Sequence, residues 1–236
     1  MATERAYATR HRIILENPVK LVPYPMRTLQ RRDLRVLTTE QYQQLLAAAH
    51  NISERTLLRV MTEAGLRRGE TIALQVGDVD LERGLIRVER RIYEQRDGRT
   101  DVDLPKSNRT RTVAINPTLV EELREHLAER TALHPSDYVW VRQNTGTRHT
   151  GSTLTQTIYT IAIRAGLQPR KPQPGNGHWV SPHVLRRTGA SIAAVNGVPV
   201  WITSQQLGHA DIRTTQAHYL RLADPGQLAV YGEAFE

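Results

Sequence analysis

Apolar residues recur at helical spacing along most of this chain. Tyr42, Leu45 and Ala49 share one face of a predicted helix that begins near Thr38, with Gln41 as the capping-box partner. The same periodicity predicts six further helices, over residues 53–64, 118–129, 152–165, 181–196, 199–207 and 211–220. Glycines mark the ends of three of these helices: Gly65, Gly197 and Gly208. The pattern indicates a mainly helical protein.

The period of the pattern changes between residues 84 and 116. Ile86, Val88 and Ile92 alternate with polar neighbours, and Val113 and Ile115 do so again after a polar turn. Such alternation is typical of strands that are buried on one face only. The expected fold class is therefore α+β, mainly α, with packed helices and a small antiparallel sheet on one side.

The two ends of the chain differ from its centre in composition. Pro18, Pro23 and Pro25 interrupt any long helix within residues 1–36, which also carry many arginines and are predicted to be a basic linker. Residues 223–236 form an apolar tail that includes Phe235, the single phenylalanine of the chain. We expect this tail to pack on a protein surface, either that of its own domain or that of a neighbour.

The composition excludes several classes of protein. Because the chain has no cysteine, disulfides, Cys-ligated zinc and thiol catalysis are excluded. No stretch approaches the roughly 18 apolar residues that a membrane span needs, and the N-terminus lacks the apolar segment of a signal peptide. We therefore expect a cytoplasmic protein, encoded by a bacterium or a phage, that does not bind membranes.

Positive charge is concentrated in the second half of the chain. The net charge is +8, and residues 138–210 contain seven basic residues but no Asp or Glu. A solvated surface normally mixes both signs, so this stretch favours a surface that binds phosphates, although arginines that merely point into water are the alternative. The charge pattern predicts a nucleic acid as partner and argues against a carboxylate-held metal ion.

The predicted helix that begins at Ser181 concentrates cations where they are disfavoured. His183 and Arg186 lie three residues apart and so share one face of its first turns. The amino end of a helix already carries partial positive charge, and a bound phosphate would relieve the repulsion. The spacing alone is weak evidence, since His218 and Arg221 repeat it.

Four segments resemble the motifs of the tyrosine recombinase family, in the same order. Leu-Gly-His at 207–209 is followed, ten residues after the histidine, by Tyr219. His-Val-Leu-Arg-Arg at 183–187 matches the family's second arginine motif, and Ala-Gly-Leu-Arg-Arg-Gly-Glu at 64–70 resembles its first. Pro-Lys-Ser-Asn-Arg at 105–109 is similar to the hairpin that carries the family's lysine. The resemblance covers about residues 37–222.

This resemblance implies a set of catalytic residues: Arg67, Lys106, His183, Arg186, His209 and Tyr219. Cleavage of a phosphodiester needs a nucleophile, stabilisation of the non-bridging oxygens and a proton for the leaving oxygen. Tyr219 would be the nucleophile, oriented or deprotonated by His183, and Lys106 would protonate the 5′ oxygen. The product is a 3′-phosphotyrosine, which conserves the bond energy for rejoining.

The remaining roles concern the phosphate and the DNA around it. Arg67 and Arg186 would clamp the phosphate as bidentate donors, and His209 would add a hydrogen bond. Glu70 is expected to be a structural ion-pair partner. Further DNA contacts are expected from two other arginines of the acid-free stretch: Arg148 and Arg187. Neither a metal ion nor a cofactor is expected.

The resemblance also implies an organisation and partners. Residues 1–36 would be a remnant of a core-binding domain, residues 37–222 the catalytic domain, and the tail 223–236 would dock on a neighbouring subunit. Double-stranded DNA is the expected partner, bound by a tetramer that is monomeric when free, with an accessory DNA-bending or directionality factor. Site-specific recombination is the expected function. The alternatives are a non-catalytic DNA-binding regulator and a strand-relaxing enzyme like type IB topoisomerases.

Overall fold

The computed structural model describes residues 11, 35–95, 100–104, 110–142, 145–171, 179–209, 211, 213 and 215. The chain divides into two compact units, residues 1–34 and residues 35–236. All elements described below belong to the second unit. Lys106 and Tyr219 lie outside the described residues, as does the tail 223–236. Their assigned roles, like the predicted domain boundaries, stay predictions.

Seven α-helices occur among the described residues. They are α1 (Thr39–Ala47), α2 (Ile52–Thr62), α3 (Arg68–Thr71), α4 (Pro117–Ala128), α5 (Gly151–Arg164), α6 (Pro182–Val195) and α7 (Val200–Leu207). Six of them confirm the helices predicted from apolar spacing. The predicted capping box is present, because the Thr38 hydroxyl accepts from the Gln41 amide at 3.2 Å while the Gln41 side chain accepts from the Thr38 amide at 3.0 Å. Helix α3 is too short to show a repeat, and the predicted helix at 211–220 lies mostly outside the described residues.

The predicted antiparallel sheet is confirmed, but it is divided into two parts. Strands β1 (Val79–Asp80), β2 (Leu85–Val88) and β5 (Arg111–Ala114) form one part in the order β1-β2-β5, and β3 (Arg91–Glu94) pairs with β4 (Thr100–Asp103) in the other. Ile86 lies opposite Val113, and Ile92 lies opposite Val102. Two residues lie between β2 and β3, but seven lie between β4 and β5. Because these numbers differ, the β2–β5 and β3–β4 pairs could not form one continuous ladder with a constant register.

Helix α2 lies at the centre of the hydrophobic core. Its side chains Leu57, Leu58 and Met61 are almost fully buried, and the helix packs against α4 and α6. Ile86 and Val113 of the three-stranded sheet belong to the same core. None of the helices among the described residues is long and apolar enough to cross a bilayer.

Helices α2 and α6 come into close contact at a glycine. A Cβ atom on Gly189 would lie 1.8 Å from the carbonyl oxygen of Thr62, at the end of α2. The missing side chain therefore lets the two backbones touch. The contact places Arg186, one turn earlier in α6, beside the segment that leads from α2 to Arg67.

We expect Gly189→Ala to lower the free energy of unfolding by about 2–3 kcal/mol, because an added methyl group in a well-packed contact forces the backbones apart. Gly151→Ala is the matched control. Its Cβ atom would lie 3.1 Å from the side chain of Arg68, and this side chain can move because it is exposed. Urea denaturation of both variants measures the difference. Equal stabilities would contradict the close contact at Gly189.

Candidate active site

Helix α7 ends in a way that leaves three carbonyls without helical partners. Gly208 has left-handed backbone angles (φ 62°, ψ 49°), and the amides of Gly208 and His209 donate to the carbonyls of Gln205 and Ser204. This is the Schellman pattern of helix ends. The next three carbonyls, those of residues 206–208, lie where the partial negative charge of the helix end is concentrated.

Each of these three carbonyls accepts a hydrogen bond from a different arginine. Arg111 Nε donates to the first at 3.2 Å, Arg186 Nη2 donates to the second, and Arg67 Nη2 donates to the third at 3.0 Å. Arg186 Nη1 also donates to the carbonyl of Gly65. The arginines come from the residue before α3, from β5 and from α6. Three elements that are distant in sequence thus meet at one helix end.

Glycine is required at position 208 for two reasons. Its positive φ is costly for residues with a side chain, and a Cβ atom there would lie 2.7 Å from Cδ of Arg111. The approach of Arg111 to the helix end therefore depends on the glycine of the Leu-Gly-His motif.

Glu70 is the carboxylate that holds the arginines from the other side. It is 1% exposed, and it accepts hydrogen bonds from Arg111 Nη1 at 3.0 Å and Nη2 at 2.8 Å, and from Arg67 Nη1 and the Arg67 amide, both at 2.8 Å. Burial alone would raise the pKa of Glu70, but the hydrogen bonds and charge of Arg111, followed by those of Arg67, outweigh it and bring the pKa to about 2. Glu70 is therefore ionised at neutral pH.

Arg186 is the most deeply buried of the three arginines. It is 4% exposed. Burial, together with the nearby positive charge of Arg67, lowers the pKa of Arg186 to about 9. The guanidinium is still cationic at neutral pH, so three positive charges face the single negative charge of Glu70. An excess of positive charge in a buried cluster is what an anionic ligand would neutralise.

His209 follows directly on the third carbonyl and is held by a buried hydroxyl. Its Nδ1 lies 2.7 Å from Oγ1 of Thr215, which is fully buried. This hydrogen bond sets the orientation of the imidazole ring.

The structure thus brings together Arg67, Glu70 and Arg186, three of the residues singled out by the motifs, and His209 follows the carbonyl that accepts from Arg67. His183 is exposed on the first turn of α6. The positions of Lys106 and Tyr219 are not described.

The two arginines predicted to contact DNA make contacts within the protein. Arg148 Nη2 donates to the Thr100 hydroxyl at 3.0 Å, and its Nη1 donates to the carbonyl of His149 at 3.3 Å. Arg187 is half-buried, its Nε donates to the carbonyl of His183 at 3.4 Å, and burial lowers its pKa. Their contacts with DNA stay predictions.

Arg111 and Gln206 belong to this cluster but are absent from the sequence-based set. A signal for Arg111 exists: it lies two residues before the buried Val113 and so on the same face of β5. A charged residue at an inward position of a strand requires a buried partner of opposite charge. The pattern does not say which of the acids that partner is, since Glu70 lies 41 residues away.

No group of three or more His, Cys, Asp or Glu side chains suited to a metal ion occurs among the described residues.

We expect Glu70→Gln to lower the free energy of unfolding by about 3–5 kcal/mol at neutral pH, the usual cost of removing one partner from a buried ion pair. Glu121→Gln, which removes a largely exposed partner of Arg124, should cost less than about 1 kcal/mol. Urea denaturation provides the measurement, and equal losses in the two variants would contradict the role of Glu70.

The pH dependence follows from the same ion pairs. The folded-state pKa of Glu70, about 2, lies below the ordinary value of 4.5, so its contribution is complete above about pH 4.5 and is lost as the pH falls toward 2. The Gln variant should lack this part of the acid sensitivity.

Comparison with known proteins shows the family to which the chain belongs. The model of the Phage integrase family matches residues 35–225. The tyrosine recombinase XerD of Neisseria meningitidis serogroup A is 28% identical over 228 residues, which cover 92% of this chain and 69% of that protein. The tyrosine recombinase XerA of Pyrococcus horikoshii is 26% identical over 182 residues, which cover 77% of this chain but only 55% of the relative. The chain thus spans a little over half of the XerA relative's length.

Solved structures agree with these relatives. The crystal structure of a XerA recombinase has a TM-score of 0.64 and 28% identity, and the match covers 85% of this chain and 65% of that one. The Tn1549 transposon integrase, solved in complex with a circular intermediate DNA, has a TM-score of 0.74 at 18% identity, with 98% and 75% coverage, and so supports the fold alone. The chain belongs to the phage integrase family, and residues 35–225 carry its tyrosine recombinase catalytic domain.

Proposed function

We propose that this domain carries out site-specific DNA recombination, by cleaving and rejoining DNA strands through a 3′-phosphotyrosine at Tyr219. The observation that supports this function best is the meeting of Arg67, Arg111 and Arg186 around one carboxylate at the end of α7. The cluster has two more positive charges than negative ones. A phosphodiester is the anion that the relatives' chemistry would bring to such a site.

The two arginines named by the motifs keep donors for this phosphate. A guanidinium has five N–H groups. Within the described part of the chain, Arg67 and Arg186 each use two of them, one toward a carbonyl of the α7 end and one toward Glu70 or Gly65. Each can therefore still donate to non-bridging oxygens while its own position is fixed. Donors that are fixed before the reaction stabilise developing charge most effectively.

The proposed cleavage step balances without a metal or a cofactor. The hydroxyl oxygen of Tyr219 attacks phosphorus, the bond from phosphorus to the 5′ oxygen breaks, and the protein is joined to the 3′ end. His183 accepts the tyrosine proton and Lys106 supplies a proton to the leaving 5′ oxygen. The 5′ hydroxyl of a second DNA end then attacks the phosphotyrosine and releases Tyr219.

Partners follow from the same proposal. The ligand is double-stranded DNA, in keeping with the Tn1549 integrase, whose solved structure contains DNA. Arg148 and Arg187 contact the duplex outside the cleaved phosphate. The protein is monomeric when free and acts as a tetramer on DNA in the cytoplasm, with the tail 223–236 docked on a neighbouring subunit. An accessory factor bends the DNA or sets the direction of the reaction.

We expect Tyr219→Phe to abolish the covalent protein–DNA adduct on a nicked suicide substrate, while DNA affinity changes less than about threefold, because phosphate contacts dominate binding. The adduct is measured by denaturing gel and the affinity by gel shift. Tyr231→Phe is the matched control and should keep both properties.

Two outcomes would contradict this mechanism. An undiminished adduct in Tyr219→Phe would exclude this nucleophile, and cleavage that stops in EDTA would indicate a metal-dependent nuclease. If the wild type binds DNA but forms no adduct, the alternative of a non-catalytic DNA-binding regulator is favoured instead.

We expect Lys106→Ala to lose cleavage of ordinary DNA but to recover it when sulfur replaces the bridging 5′ oxygen, because a thiolate leaves without protonation. Arg186→Ala should lose roughly 10² to 10³ in rate on both substrates, since the charge on the non-bridging oxygens is unchanged. Single-turnover rates of adduct formation give the comparison. If sulfur rescues Arg186→Ala as well, or leaves Lys106→Ala inactive, another group protonates the leaving oxygen.

A further inference from the structure

Gln206 joins the end of α7 to strand β5 through its side chain. Its Oε1 accepts from the Ala114 amide at 3.1 Å, and its Nε2 donates to the Ala114 carbonyl at 2.7 Å. One primary amide thus makes both hydrogen bonds that a neighbouring strand would make to Ala114.

The position of Ala114 explains why these bonds are available. Strand β5 is at an edge of its sheet, since it pairs with β2 on one side only. The amide of the next residue, Ile115, donates to Gly84 across that pairing. Successive backbone groups alternate in direction, so those of Ala114 face away from β2. Gln206 occupies the edge that β2 leaves open.

The main chain of Gln206 is bonded to the same strand. Its carbonyl accepts from Nε of Arg111, which begins β5 and holds Glu70. The next two carbonyls of the chain bind Arg186 and Arg67. Any shift of the α7 end along β5 would therefore move the acceptors that orient all three arginines.

We propose that Gln206 is a positioning residue for the phosphate-binding arginines. Its side chain fixes the end of α7 against Ala114, and through carbonyls 206–208 it fixes the guanidinium groups of Arg67 and Arg186. This inference rests on the proposed cleavage reaction. In this proposal Gln206 acts on the phosphate only through these arginines.

Gln205 provides a matched control for Gln206. The two glutamines are neighbours in α7, but Gln205 is exposed and its side chain makes none of the hydrogen bonds found among the described residues. Leucine lacks the amide group of glutamine and is also a good helix former. Gln206→Leu and Gln205→Leu therefore make the same chemical change at adjacent positions, and only the first removes the bonds to Ala114.

The first measurement does not depend on catalysis. In the DNA-free full chain, Gln206→Leu should speed hydrogen exchange of the Ala114 amide, which loses its acceptor, whereas Gln205→Leu should leave that exchange unchanged. Equal exchange of the Ala114 amide in both variants would overturn the proposed contact between Gln206 and Ala114, even if the protein never cleaves DNA.

The second measurement tests whether the contact between Gln206 and Ala114 acts through the arginines. At saturating DNA, Gln206→Leu should slow adduct formation on the suicide substrate about ten- to a hundredfold, the scale of a small misplacement of catalytic groups. DNA affinity should match that of Gln205→Leu, and both variants should remain folded at the assay temperature. A methylphosphonate substrate, in which a methyl group replaces a charged non-bridging oxygen, should restore most of the rate, because less charge then needs stabilisation.

Arg67→Ala, measured in parallel, shows the effect of losing one of the two arginines that bind the phosphate. Recovery of both Arg67→Ala and Gln206→Leu on the methylphosphonate supports the positioning role. A Gln206→Leu defect of equal size on both substrates, or no defect relative to Gln205→Leu, overturns it. If the wild type forms no adduct, the proposed function fails. If Arg67→Ala does not recover, the arginines do not act on the charge of the non-bridging oxygens, and the positioning role fails while the cleavage reaction stands. In both cases the exchange measurement still decides whether Gln206 holds Ala114.

Discussion

The carboxylate of Glu70 is the charge on which the geometry of this site depends. A buried arginine is costly unless its charge and its donors are satisfied, and here three arginines lie within one cluster. Glu70 binds two of them directly, and its four hydrogen bonds leave the carboxylate little freedom to move. Because the charge of Glu70 is only one, the cluster is held together and yet remains short of negative charge. In the proposed function, a phosphate of the DNA supplies the missing negative charge.

The carbonyl end of α7 complements the carboxylate. Helix ends normally leave their last carbonyls to water or to a capping residue. Here Gly208 turns the chain sharply, and carbonyls 206–208 each accept from one arginine. The partial charge of the helix end stabilises cations without adding a full negative charge that would repel a phosphate. The arginines are thus fixed by dipoles on one side and by an ion on the other.

The limits of the sequence-based prediction follow from the range of the interactions involved. Apolar spacing is a local property, and it predicted six helices and the alternating strands. The motifs singled out Arg67 and Arg186, which the structure places at one helix end. The alternation along β5 marks Arg111 as an inward-facing charge but does not identify its partner, and no local pattern marks Gln206, because their roles arise from contacts made across 41 and 92 residues. The division of the sheet depends on the unequal segments between paired strands, which a pattern of alternation does not register.

The convergence on α7 also has a consequence for the synthesis of the protein. Gly208 follows Arg67 by 141 residues, and the carbonyls that orient the arginines are among the last groups of the described domain to be made. A growing chain at the ribosome carries Arg67, Glu70 and Arg111 long before it can hold them in place. The arginine cluster is therefore completed only when nearly the whole domain has emerged and folded, so that incomplete chains lack its geometry.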